Sequence, residues 1–477
     1  MLGRVFKAYD IRGIYPDLLT DYMAWQIGCG SAKFLLQEAE ADGESTPMMR
    51  NVIIGRDMRK SSPKLSEELI RGITSAGASV IDLGLIDTPM MYFAINYLDS
   101  SGGIVVTASH NPPQYNGFKI SKRKAKPVGE TTGLNVVRKN SAMVDKNLTP
   151  QPGTSVDPRD LWDAYTKHVR KFLDLGNHDA SNPLKIVVDA SNGMAGKMCP
   201  IVFGSSVSHP DRKIEGLDII EMNFDIESGE FAHEPNPLVA SNLDSLCKAV
   251  IDEKADLGLC FDGDADRCVA VDETGRIIPC DIMTALLVPF FLDQKPGSAI
   301  IYDLRSTKAV REEIEKHGGK PLRGRVGHVF MKQLLAENKG VFGGELSGHF
   351  YFRKNFNADS GAIAMATFLS VLANADQPMS KLVAPLMRYL QSGEINFENE
   401  ESDLALEQIM ETYGDRGDID ELDGVTVDCF EDEGWWMNIR KSNTEPLLRL
   451  NIEAKSQEIL DQMYEEVSPV LGSKVDH

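Results

Sequence analysis

Short apolar runs that give way to polar turns recur along the chain. Val52-Ile53-Ile54 leads into Gly55-Arg56-Asp57 and then a helical pattern from Pro63 to about Ala76. Ile186-Val187-Val188 leads into Asp189-Ala190-Ser191-Asn192-Gly193. Ile300-Ile301-Tyr302 leads into Asp303-Leu304-Arg305-Ser306-Thr307 and a helical pattern from about Ala309 to Lys316. A strand, a turn and an amphipathic segment in that order predict parallel α/β units. Spaced roughly a hundred residues apart, they predict three related α/β domains with mixed sheets. A further run, Ile104-Val105-Val106, ends in Thr107-Ala108-Ser109-His110-Asn111-Pro112. That order places Ser109 on a turn at the carboxyl edge of a sheet, where open α/β sheets build ligand sites. The Asn-Pro step keeps a helix from starting early.

The pattern changes toward the end of the chain. A helical stretch over 357–391 precedes apolar runs at 394–397, 424–427, 435–439 and 447–452, with helical patterns at 403–413 and 456–470. This predicts an α+β unit on an antiparallel sheet. Candidate linkers are 145–158, the region near 272–280, and 375–378; 40–50 reads as a surface loop. The expected domains are 1–155, 156–272, 273–377 and 378–477.

The chain has 477 residues, enough for several domains, and an ordinary share of apolar and charged positions. A formal charge of -21 disfavours non-specific binding to nucleic acid or to anionic membranes. An anionic substrate must then be drawn by local basic groups. Seven scattered cysteines without a C-x-x-C pair point to buried thiols in a reducing, cytoplasmic setting and away from zinc. The first residues have no apolar h-region. The longest apolar stretch, Ile282 to Leu292, contains Pro289 and is too short to cross a bilayer.

Chemistry concentrates in a few segments. Ser109 is a candidate nucleophile that needs an activating partner. Asp262-Gly263-Asp264-Ala265-Asp266-Arg267 comes after an apolar strand and sets three carboxylates at alternate positions, a hard oxygen donor set suited to Mg²⁺. Glu273 falls at the twelfth position of an EF-hand register, but Arg267 replaces the sixth-position glycine and a strand comes next, which excludes that motif. A solvated acidic turn is the competing reading. Gly344-Glu345-Leu346-Ser347-Gly348-His349 offers hydrogen bonds to several hydroxyls; read alone it is equally a glycine-rich turn with a capping serine. Arg440-Lys441-Ser442-Asn443-Thr444-Glu445-Pro446 combines cations, hydroxyls and an amide, as a phosphate cradle or as a basic hairpin turn. Arg449 either joins it or lies on the sheet surface. Arg12, Lys119 and His328 each admit a structural reading: a surface arginine, a solvated lysine, a helix-cap or core histidine. The run Lys122, Arg123, Lys124 and Lys126 reads as a solvated loop.

Four of these segments, T-A-S-H-N-P, D-G-D-A-D-R, G-E-L-S-G-H and R-K-S-N-T-E-P, occur together and in order. In this the chain resembles the α-D-phosphohexomutase family from Tyr9 to about Ala454, most like the phosphomannomutase/phosphoglucomutase branch. The resemblance implies three α/β domains and a C-terminal α+β domain around a central cleft. It implies a reversible transfer of phosphoryl between the 1- and 6-positions of mannose and/or glucose phosphate, through a hexose 1,6-bisphosphate that also serves as activator. Ser109 would carry the phosphoryl group; Asp262, Asp264 and Asp266, with Ser109, would hold Mg²⁺. Arg12, Lys119, His328 and His349 would line the reacting end, and Tyr9 and Arg267 would contact substrate. Glu345 and Ser347 would grip sugar hydroxyls. Arg305, Arg440, Ser442, Asn443, Thr444 and Arg449 would bind substrate, those of the last loop holding the non-reacting phosphate. Sugar phosphates are the implied partners, with the chain a monomer or a dimer. Phosphoglucosamine mutase and, further off, a Mg²⁺-dependent sugar phosphatase are the alternatives.

Overall fold

The computed structural model describes residues 2–43, 48–176, 178–442 and 447–475. They fall into two units: Met1–Pro279 with Ser347–Ser380, and Cys280–Leu346 with Lys381–His477.

The first sheet of the first unit is built from β1 (Ile11–Ile14), β2 (Asn51–Arg56), β3 (Ser79–Leu85), β4 (Gly102–Val106) and β5 (Tyr115–Lys122), in the order β1-β5-β4-β2-β3. β2 is parallel to β3 and β4, while β4 and β1 are antiparallel to β5, so the sheet is mixed. Three helices connect these strands: α1 (Asp21–Ala41), α2 (Ser62–Ser75) and α3 (Thr88–Leu98). Thr20 caps α1, its side chain accepting the Met23 N–H. The apolar face of α2 (Leu65, Leu69, Ile73) packs on the central strands in a core with Val52, Ile54, Ile104, Val106 and Phe118. The chain does not enter a helix after Ser109. It returns as β5, because the Asn111-Pro112 turn directs it back along β4, with Val105 opposite Lys119.

The second sheet repeats the plan. Leu184–Asp189 lies parallel to Leu217–Met222 and to Leu257–Phe261, and Cys268–Asp272 returns antiparallel to Leu257–Phe261. The expected linker near 272–280 is a hairpin: Gly275 turns at φ 80° and Ile277–Ile278 pairs back onto Cys268–Asp272. Within the expected linker 145–158, Val156–Pro158 adds an edge strand beside β3.

In the second unit, Ala299–Asp303 lies between the parallel strands Lys320–Gly324 and Phe342–Gly344. The C-terminal sheet is antiparallel, as its pattern predicts, with Trp435–Lys441 and Leu447–Ala454 at its centre and helices Ser402–Tyr413 and Gln457–Leu471 packed on it. The helical stretch expected over 357–391 is corrected. Only Gly361–Ala373 and the short Met379–Val383 are α-helical, with strands Ala358–Asp359 and Leu390–Gln391 at either end. Gly361–Ala373 is apolar all round because it is almost wholly buried, and beyond it Pro378 and Pro385 break the helical run.

Candidate functional site

The β4–β5 turn and the Asp262 loop meet in the first unit. Ser109 takes a left-handed conformation (φ 51°), its N–H held by Thr107 Oγ1 at 2.9 Å. Its Oγ donates to Asp262 Oδ2 at 2.9 Å, and both residues are buried. Gly263 allows this approach, since a Cβ there would stand 2.4 Å from the Ser109 carbonyl oxygen. Asp262, Asp264 and Asp266 bring carboxylate oxygens within 4.8 Å of one another. Thr88 Oγ1 donates to Asp264 Oδ2 at 2.6 Å, while Asp264 Oδ1 and Asp266 Oδ1 are buried without a hydrogen-bond partner. Such a cluster of hard donors fits a small divalent cation.

Lys119, on β5, reaches into the cluster, its Nζ 2.7 Å from Asp264 Oδ2 and 2.6 Å from Asp266 Oδ2. Burial alone would lower the pKa of this lysine, but the three aspartates outweigh it and raise it. Burial and the two other carboxylates push Asp262 well above the usual carboxylate range. For Asp266 burial acts upward too, but Lys119 and His349 overcome it and the net shift is down. His349 sits against Asp359 (Nδ1 to Oδ2, 2.8 Å), and its Nε2 accepts from Arg267 Nε at 3.2 Å. Arg12, on β1, is bonded to Asn111 and Asp10, beside the serine turn. Tyr9 precedes β1 and is half-buried. His110 lies 3.4 Å from Ser109 Oγ; burial, with Arg267, Arg12 and Lys119 nearby, holds its pKa well below that of ordinary histidine.

In the second unit three arginines converge on one carboxylate. Glu394 takes Arg305 Nη1 at 3.1 Å, Arg440 Nη2 at 2.7 Å and Arg449 Nη1 at 3.1 Å. Burial would raise the Glu394 pKa, but the arginines bring it down to about 2. Arg449 therefore joins the basic cluster, and its Nη2 reaches Ser442 Oγ at 3.5 Å. Arg305 is also gripped by Asp303 at 2.8 Å. Glu345 is buried in the second unit and His328 opens the helix His328–Glu337 there; Ser347 belongs to the first unit. Asn443 and Thr444 lie outside the described residues. The solvated reading of the 122–126 run is corrected at Arg123, which is buried and bonded to Asp99.

Sequence reasoning missed Arg59, Asp359 and Glu394. Glu394 opens the expected strand 394–397, but only the third dimension shows it facing three arginines. Asp359 had no local signal. Arg59 had one: Asp57-Met58-Arg59 repeats the spacing of Asp303-Leu304-Arg305.

Two other groups of candidate metal ligands occur among the described residues: Asp266 with His349 and Asp359, and Asp189 with His233 and Cys260. In the latter, His233 presents both ring nitrogens to oxygen, Nδ1 to the Glu234 carbonyl (2.9 Å) and Nε2 to Asp189 Oδ2 (3.0 Å). That is the geometry of an imidazolium ion pair. No described helix is long and apolar enough to cross a membrane.

The sequence matches the phosphoglucomutase/phosphomannomutase α/β/α domain I over residues 3–142, domain II over 163–275, domain III over 279–389 and the C-terminal domain over 394–470. A protein of Xanthomonas campestris pv. campestris (strain B100) named "Phosphohexose mutases" is 36% identical over 470 residues, covering 98% of each chain. The phosphomannomutase/phosphoglucomutase of Pseudomonas aeruginosa (strain PAO1) is 33% identical, covering 96% of this chain and 93% of its own. The crystal structure of a phosphoglucomutase/phosphomannomutase family protein from Burkholderia thailandensis superposes with a TM-score of 0.82 at 29% identity, covering 98% of this chain and 96% of that one.

Proposed function

The chain belongs to the phosphoglucomutase/phosphomannomutase family of phosphohexomutases, which are isomerases, and on that premise we propose that it moves phosphoryl reversibly between the 1- and 6-positions of mannose or glucose phosphate, through phosphoserine 109 and a hexose 1,6-bisphosphate. The observation that carries this reading is the hydrogen bond from Ser109 Oγ to Asp262 Oδ2, at 2.9 Å across 153 residues of chain. A serine set against a cluster of carboxylates is poorly placed for deprotonation, but well placed to carry a phosphoryl group beside a bound cation.

Asp262, Asp264 and Asp266, with Ser109, would hold Mg²⁺; their all-oxygen donor set and two orphaned buried oxygens support that ion over zinc. When bound, the ion neutralises charge on the transferring group and on the serine oxygen. The residues of the chain do the rest. A hydroxyl oxygen of the sugar monophosphate bonds to phosphorus as the bond to Ser109 Oγ breaks, and the hydroxyl proton leaves to a base. The bisphosphate turns around, and its other phosphoryl returns to Ser109. Lys119 and Arg12 supply positive charge at the serine turn, and His349, held by Asp359 and Arg267, keeps a fixed orientation there; His328 is the other histidine proposed for the reacting end. Tyr9 and Arg267 contact substrate, and Glu345 and Ser347 take sugar hydroxyls. Arg305, Arg440, Ser442, Asn443, Thr444 and Arg449 bind the phosphate that is not reacting; the charge gathered on Glu394 supports that role for the arginines. Seven free cysteines, six of them buried, support a cytoplasmic setting.

The test is Ser109→Ala, assayed with mannose, glucose and glucosamine phosphates plus the matching bisphosphate, alongside intact-mass measurement. Wild type is expected to carry one phosphoryl group and to isomerise the first two sugars, and the variant to lose both properties. Near wild-type turnover by the variant overturns the phosphoserine route; preference for glucosamine phosphate overturns the assigned sugar.

A further inference from the structure

Arg59 uses every donor it has on the serine turn and on one aspartate. A guanidinium carries five N–H groups in a rigid plane. Here Nε donates to Asp57 Oδ2 (3.0 Å), Nη1 to the carbonyls of Pro112 (2.8 Å) and Tyr115 (3.0 Å), and Nη2 to those of Ser109 (2.8 Å) and Asn111 (2.7 Å). The side chain is 1% exposed, and the Phe231 ring lies 4.8 Å from its Cζ. We propose that Arg59 is a positioning residue for Ser109: by gathering four backbone carbonyls of the 109–115 turn, it fixes the left-handed backbone that aims Ser109 Oγ at the aspartate loop.

An L-residue does not rest in the left-handed region without a compensating force. The carbonyls of residues 109 and 111 are both drawn to one nitrogen, which fixes the peptide plane that follows Ser109 and the one that follows Asn111. Asp57 in turn is fixed twice over, its Oδ1 accepting the Arg59 N–H at 3.0 Å and the Ser62 hydroxyl. Asn116 Nδ2 then ties β5 to Ser61 and Ser62, at 2.8 and 2.9 Å.

The same device ends the equivalent strand in each α/β sheet. Asp189 Oδ1 accepts the Ser191 N–H and Asp303 Oδ1 the Arg305 N–H, both at 2.8 Å. Each turn then reaches the next loop of interest. Ser191 Oγ donates to the Phe261 carbonyl at 3.1 Å, just before Asp262, and Asp303 Oδ2 accepts the Leu346 N–H at 2.7 Å, just after Glu345. Three separate strands thus end in an aspartate turn that braces a loop named from sequence, and Arg59 is the brace of the serine loop.

The inference rests on the reading of Ser109 as phosphoryl carrier, and the test separates the two. Arg59→Lys keeps the charge but offers three donors for five acceptors. Its kcat is expected to fall about a hundredfold, the scale of a 1 Å misplacement, with KM for hexose phosphate within about threefold. Phosphoserine 109 should lose its phosphoryl to water faster than in wild type. Asp57→Asn, which leaves the guanidinium in place with a weakened anchor, should shift kcat the same way by a smaller factor. Wild-type kcat in Arg59→Lys while Ser109→Ala is inactive overturns the positioning role and leaves the carrier role intact. Activity in Ser109→Ala strikes the carrier role itself. Loss of cooperative unfolding in both Arg59→Lys and Asp57→Asn, or a KM rise that accounts for the whole loss of kcat/KM, shows Arg59 to be merely structural and overturns the inference.

Discussion

Lys119 Nζ lies between Asp264 and Asp266, 2.7 and 2.6 Å from their carboxylates, in the place where neutralising charge is most needed. With Arg267, whose Nε lies 3.8 Å from Asp262 Oδ2, this ammonium offsets the repulsion within the carboxylate cluster. Lys119→Met should destabilise the metal-free protein by about 3–5 kcal/mol, the usual cost of stripping one partner from a buried ion pair. Mg²⁺ should then raise its unfolding temperature by more than it raises that of wild type. Calorimetry with and without Mg²⁺ checks this; equal Mg²⁺ shifts in the two proteins would count against the cluster as the ion's site.

Threonine keeps the hydroxyl of Ser109 and adds a methyl at Cβ. At a φ of 51° a β-branched residue is strained. Ser109→Thr should therefore cost about 1–3 kcal/mol of stability and most of the turnover, despite offering the same nucleophilic atom. Thermal unfolding paired with an isomerase assay reads both effects. Wild-type values in both would mean that the turn accepts another backbone conformation.

His233 is expected to make stability depend on pH near neutrality. Its hydrogen bond to Asp189 raises its pKa, against the pull of burial, with Asp189's charge adding to the rise. A histidine raised on folding contributes stability that is complete below the unfolded value of about 6.5 and is lost as pH climbs through the folded value. His233→Gln should lie below wild type at pH 6 and approach it at higher pH. Parallel denaturation curves at both ends of that window would remove the ion pair from the account.

Glu394 gives the opposite slope. Held down at about 2 by Arg305, Arg440 and Arg449, it contributes stability that is present above the ordinary glutamate range and lost as pH falls through that value. Glu394→Gln should cost about 2 kcal/mol at pH 7 after allowance for its partial exposure. The difference from wild type should shrink on acidification toward pH 2. Urea titrations at pH 7, 4 and 3 would show whether it does.

The features legible in the chain are the local ones. The strand-turn-helix units, the antiparallel C-terminal sheet and the Asp262 loop each lie within a few residues, where periodicity and turn chemistry speak directly. The return of β5 after Ser109 is not legible, because Asn111-Pro112 marks a break without saying whether a helix or a strand comes after it. The apolar run at 357–391 reads too readily as helix, since a fully buried segment loses the periodicity that separates helix from strand. Arg59 and Glu394 depend on partners 46 to 89 residues away in sequence, and no pattern within a window of turns and helices reports that. Arg123 looks solvated by composition alone; it is buried because the 123–125 turn packs against α3 and β4, where Asp99 takes its guanidinium.

The aspartate turn that ends the equivalent strand of each α/β sheet has a consequence for how such a chain can change. One turn, used three times, separates the support of a loop from the business of its tip. The tips differ completely, a serine in one, carboxylates in the next and a glutamate in the third, while the joint beneath them stays the same. A fold with interchangeable joints can rewrite one tip, and so its taste for a sugar, without having to reinvent the other two.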